Sequence, residues 1–136
     1  MTRMRRFRFW GVSLLLALGF FLSIGSQIKP DEYDLNKCLF KYKSEWSRPC
    51  LQCKDYSKSY RAYFRNVCEE VLEVKLAAQE KDRRWKTYTF REVQPGDSLV
   101  AYACKGTGKY LYWVKRPDDL QYVFPTDEEI NESFSD

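Results

Sequence analysis

Residues 85–104 read Trp85-Lys-Thr-Tyr-Thr-Phe-Arg-Glu-Val93, Gln94-Pro95-Gly96-Asp97, Ser98-Leu-Val-Ala-Tyr-Ala-Cys104, and this stretch decides the fold. Within 85–93, Tyr88 and Phe90 alternate with Thr87 and Thr89, which is the period of two that a half-buried strand imposes. The next four residues predict a turn, because Pro pre-sets φ and Gly accepts positive φ. Residues 98–104 then predict a second strand.

Reading outward, the same pattern repeats on both sides. Upstream, residues 80–84 are all charged and suggest a hairpin loop. Residues 69–79 have a helix-friendly composition, but Leu72, Val74, Leu76 and Ala78 alternate with Glu73, Lys75, Ala77 and Gln79. On a helix those apolar positions would scatter around the axis, so the pattern predicts a strand, with a helix as the second choice. Residues 60–67 are aromatic and β-prone. Downstream, residues 105–109 hold two glycines and predict a loop, 110–115 a strand, 116–119 a turn and 120–124 a last short strand. Thr126 is followed three residues later by Glu129, a capping box that starts a short acidic helix through about residue 132. Residues 37–58 lack a clean period and suggest an irregular cysteine-bearing subregion.

Strands joined by short turns pair antiparallel. The expected fold is therefore mainly β: a small antiparallel β-meander or sandwich with a short C-terminal helix, preceded by an N-terminal signal or anchor helix. That leading segment is read from residues 1–26, which carry Arg3, Arg5, Arg6 and Arg8 and no acid. From residue 9 to residue 28 there is no charge. Basic residues before an apolar run stay cytoplasmic, so the remainder is expected to be exported. Cleavage after Gly25 or Ser26 would release it; retention of 9–28 would anchor it in the membrane with the N-terminus cytoplasmic. Residues 27–36 read as a linker, and 37–136 as the exported cysteine-containing domain.

The formal charge of +4 belongs to the leader, since residues 27–136 hold 19 bases and 19 acids. Nucleic acid is accordingly not an expected partner. Charge is still segregated: residues 117–136 carry seven acids and no base, a tail that either stays solvated or folds back on the basic body. The chain has no histidine, which excludes Ser-His-Asp and Cys-His catalysis and His metal ligation.

Five cysteines, Cys38, Cys50, Cys53, Cys68 and Cys104, suggest disulfides in an exported domain. Cys68 and Cys104 both flank predicted strands and are expected to pair, with Cys38 joined to Cys50 or Cys53 and one thiol left over. Cys50-Leu-Gln-Cys53 also has redox spacing, but no β-α-β pattern surrounds it. Four thiolates, at Cys38, Cys50, Cys53 and Cys68, are the other option, for metal ligation. Gly106-Thr-Gly-Lys109 falls short of a phosphate loop, which needs four residues between its glycines. No cofactor is expected.

Several aromatics stand beside bases, as in Tyr60-Arg61, Tyr63-Phe64-Arg65 and Arg84-Trp85-Lys86. Such rows stack on partners or pack across strands. Trp85 and Trp113 are expected in packing; Arg61, Arg65, Arg84 and Lys86 are the candidate contact residues. Asn131-Glu-Ser133 fits a glycosylation triplet. The function expected is a non-enzymatic exported or membrane-anchored binding or scaffolding module with a protein or envelope partner. An envelope thiol-redox or metal-binding protein using Cys50 and Cys53 is the alternative.

Overall fold

The computed structural model describes residues 33–135. The expected leader, the uncharged run 9–28 and most of the 27–36 linker lie outside them. No helix among the described residues is long and apolar enough to cross a membrane.

The described residues form two three-stranded antiparallel sheets and one short helix. The strands are β1 (Leu39–Trp46), β2 (Tyr60–Asn66), β3 (Leu72–Glu80), β4 (Trp85–Val93), β5 (Ser98–Ala103) and β6 (Gly106–Lys115). One sheet runs β1-β2-β5 and the other β4-β3-β6. Helix α1 (Asp127–Ser133) follows. The alternation in 69–79 resolves as a strand: Leu72, Val74, Leu76 and Ala78 are fully buried.

Only part of the meander forms. β1 with β2 and β3 with β4 pair as sequential neighbours, whereas β2→β3, β4→β5 and β5→β6 each cross to the other sheet. The Pro95-Gly96 turn forms as expected, with Gly96 at φ 83° and Asp97 N–H donating to the Gln94 carbonyl at 3.0 Å. It joins two sheets instead of two neighbours. Period-two alternation specifies which face of a strand is buried, not which strand lies beside it.

Three further expectations change. Residues 39–46, read as irregular, form β1; a register shift between Lys41 and Lys43 breaks the alternation there. The 105–109 loop shrinks to a two-residue connection, since β6 starts at Gly106 and holds Gly108 at φ 90° beneath the Trp46 ring. Residues 120–124 form no strand, because Asp119 Oδ1 accepts from the backbone N–H groups of Gln121 and Tyr122 and folds them into a turn. Inside the expected linker, Asp34 caps a 3-10 turn over Leu35–Cys38.

The core lies between the sheets. Phe64 meets Tyr110 edge-on, with ring centroids 5.4 Å apart. Small residues make room for these rings: Ala62, Ala101 and Ala103 are fully buried. The strand ends define two poles. At one, β1, β3 and β5 end and β2, β4 and β6 begin; at the other, Cys38, Asn66 and the Pro95-Gly96 turn come together.

Candidate binding surface

The outer faces of the two sheets differ. On the β4-β3-β6 sheet the outer face is covered by the chain's own C-terminal segment. Ile130 of α1 is fully buried in a cluster with Ala77 and Trp85, flanked by Leu111 and Trp113. Trp85 Nε1 donates to the Phe134 carbonyl at 2.8 Å, and Lys75 Nζ to Asp127 Oδ1 at 2.7 Å. The acidic tail thus folds back on the body, and both tryptophans are packing residues. The capping box forms as expected, with Thr126 Oγ1 accepting from Glu129 N–H and Glu129 Oε2 from Thr126 N–H. Asn131 of the glycosylation triplet accepts from Trp85 N–H at 2.7 Å and donates to the Asp127 carbonyl at 2.7 Å, so its amide is engaged in docking the helix.

No described residue covers the outer face of the β1-β2-β5 sheet in this way. Arg61, Tyr63 and Arg65 alternate outward along β2, opposite the buried Ala62 and Phe64. From β1, Phe40 and Tyr42 join them, 58% and 40% exposed. The Arg65 guanidinium lies 4.9 Å from the Tyr42 ring centroid, and the Tyr42 and Tyr63 rings are 6.1 Å apart. Tyr63 O–H donates to Glu45 Oε2 at 2.6 Å, and Lys43 Nζ lies 2.7 Å from Glu45 Oε1. These contacts hold the Glu45 carboxyl down to about 2, first through Lys43 and then through Tyr63. The Arg61 guanidinium bonds the Pro49 carbonyl.

The four candidate contact residues therefore divide among three places. Arg61 and Arg65 share the open sheet face. Arg84 sits in the β3–β4 hairpin, 2.6 Å from Asp82, and Lys86 places its ammonium 4.0 Å from the Tyr102 ring centroid, where β4 meets β5. Sequence reading missed Tyr42 and Lys43, because the irregular register of β1 hid which face they occupy.

The cysteines form two bridges, Cys38–Cys68 and Cys53–Cys104, and Cys50 is free. The expected Cys68–Cys104 pairing does not occur: those residues lie at opposite poles, with the length of the strands between them. A four-thiolate centre at Cys38, Cys50, Cys53 and Cys68 does not form either, since three of those sulfurs are in disulfides. Among the described residues no cluster of metal-ligating side chains is assembled.

The poles differ in charge. Loops 47–59, 81–84 and 104–105 at one end carry seven bases and two acids. Loops 67–71, 94–97 and 116–119 at the other carry one base and five acids. No family model, curated protein or solved structure matches this chain.

Proposed function

We propose that this protein is a non-enzymatic binding or scaffolding module, exported or membrane-anchored, whose open sheet face meets a protein partner. The observation that carries this reading is the contrast between the two sheets. A sheet face rich in aromatic area is ordinarily covered, as the tail covers one of them here. Phe40, Tyr42 and Arg65 instead meet solvent in a row beside the half-buried Tyr63, the mixture of aromatic and arginine side chains that dominates binding hot spots. The two disulfides support an oxidising compartment.

The test is capture from native membranes with the full chain as bait. The partner retained by the parent should be lost with Tyr42→Ala/Arg65→Glu, while a Thr89→Ala control on the other sheet retains it. An identical set of captured proteins would remove this face from the account. A C-terminal alkaline phosphatase fusion should be active; an inactive fusion would overturn export.

A second reading, thiol-redox chemistry, is favoured by the free Cys50 in a turn with bridged Cys53, where Cys53 N–H donates to the Cys50 carbonyl at 3.1 Å. Attack of the Cys50 thiolate on Cys53 Sγ would form a Cys50–Cys53 bond and release Cys104 as a thiolate, with no external oxidant. Peptide mapping of the parent chain after incubation at raised pH decides this: a Cys50–Cys53 bridge with Cys104 alkylated supports exchange, and an unchanged Cys53–Cys104 bridge with Cys50 alkylated sinks it.

A further inference from the structure

The basic pole contains a row of lysines that the backbone itself builds. Gly106 N–H donates to the Lys58 carbonyl at 2.9 Å, and Lys81 N–H donates to the Lys105 carbonyl at 2.7 Å. Lys58 and Lys105 are also paired in an isolated β-bridge. Three loops distant in sequence thereby set Lys58, Lys105 and Lys81 side by side, at about the 5 Å spacing of neighbouring strands. Cys53–Cys104 ties the first of these loops to the second, one residue from Lys105.

The acids nearby are mostly committed elsewhere. Both oxygens of Glu80 accept backbone N–H groups, those of Cys104 at 3.0 Å and Lys105 at 2.8 Å. Asp82 is held by Arg84. Asp55 accepts from Ser57 N–H, and its carboxyl is held low by that bond first and by the nearby Lys105 and Lys58 charges last. No carboxylate among the described residues makes a salt bridge with Lys58, Lys81 or Lys105. A cleft of about 620 Å³ opens beside the row, lined by Glu80, Lys81, Asp82, Arg84, Cys104 and Lys105.

Like charges repel, yet the fold holds the backbones of these three exposed lysines side by side through hydrogen bonds and a disulfide, which concentrates positive charge at this pole. We infer that this pole binds an anionic polysaccharide, with Lys58, Lys105 and Lys81 meeting successive sulfate or phosphate esters along one chain. Lysines read charge density rather than the planar geometry that arginine forks select. The row is only three loops wide, and residues 27–136 together carry no net charge, which suits a thin flexible polyanion and not a duplex. This surface is separate from the open sheet face and goes beyond the binding reading given above.

Heparin and dextran sulfate are the probes, uncharged dextran is the control, and the full chain in detergent is titrated by calorimetry at low and moderate salt. Heparin should bind, and more weakly as salt rises. Lys58→Gln/Lys81→Gln/Lys105→Gln should weaken binding about tenfold, as expected for three exposed charge contacts. Tyr42→Ala/Arg65→Glu should leave heparin affinity unchanged, which keeps failure here distinct from failure of the partner-binding face. Circular dichroism and an unchanged disulfide map establish that the variants fold. Equal heparin affinity of parent and triple variant, no binding by the parent, or preference for duplex DNA over the glycans would overturn the assignment.

Discussion

Lys75 Nζ lies 2.7 Å from Asp127 Oδ1, joining the central strand of one sheet to a helix fifty-two residues later in the chain. Thr87 Oγ1 donates to the same oxygen at 2.8 Å, and Lys75 also donates to the Pro125 carbonyl at 2.8 Å. The lysine is nearly buried and the aspartate largely exposed, so the contact acts as a latch: its inner half is fixed and its outer half belongs to the tail.

Replacing Asp127 with Asn should loosen that latch without unfolding the sheets. Lys75 keeps its carbonyl partner, and Asp127 is well solvated, so the loss should be only about 1 kcal/mol. The Asp127 carboxyl is held below its ordinary value, first by Lys75 and then by Thr87. A depressed carboxyl contributes its stabilisation fully above its ordinary pKa and loses it as pH falls through the lowered one. Tryptophan emission, reporting on Trp85 and Trp113 beneath the tail, should shift red below about pH 4 in the parent. Asp127→Asn should flatten that acid limb; an unchanged limb would separate the latch from tail docking.

The bridges should contribute comparably. Cys38–Cys68 and Cys53–Cys104 span 30 and 51 residues. Loop-closure entropy gives about 4 kcal/mol for each. Double alanine variants of either pair should lower the denaturant midpoint strongly. Peptide mapping without reductant should find 38 linked to 68, 53 linked to 104, and Cys50 alone alkylated. A 68–104 peptide would contradict the pole assignment.

Gly106 is required by space. A Cβ built there would stand 2.3 Å from Cβ of Tyr60, which is only 2% exposed. The Gly106 N–H is held by the Lys58 carbonyl, so neither side has freedom to withdraw. Gly106→Ala should therefore cost about 3 kcal/mol, at the upper end for overpacking. A thermal midpoint equal to the parent's would show that this approach is looser than described.

Glu45 should titrate far from its neighbours. Its carboxyl lies at about 2 instead of 4.5. The Lys43–Glu45–Tyr63 contacts should thus persist undiminished above pH 4.5 and fade only as pH falls toward about 2. Carboxyl-carbon NMR of labelled protein checks this directly, and a midpoint near 4.5 would dissolve the network.

How much of this was legible depends on what each residue pattern encodes. Leu72, Val74, Leu76 and Ala78 announced a strand because their alternation records burial. Thr126 and Glu129 announced a helix start because both halves of that cap are local. Neighbour choice left no such trace: β4 and β5 alternate cleanly whether or not they pair. Bulging at Tyr42 erased the pattern of β1 and, with it, half of the open face. Cysteine pairing failed for a related reason. Cys68 and Cys104 each flank a strand, but only the topology says that they flank opposite ends. Lys58, Lys81 and Lys105 are ordinary loop lysines in sequence and become a row only where backbone bonds collect them.

The two poles have a mechanical consequence. Tyr33 touches Cys68 at one end, with its hydroxyl 3.2 Å from the sulfur, while Phe134 closes over Trp85 at the other. Tension applied between these residues would run along the strands. At the first end it would meet a covalent staple, Cys38–Cys68, before it could unzip β1 from β2. At the second it would meet only side-chain contacts, so stretching would peel the helix away first and bare Trp85 while both sheets stayed intact.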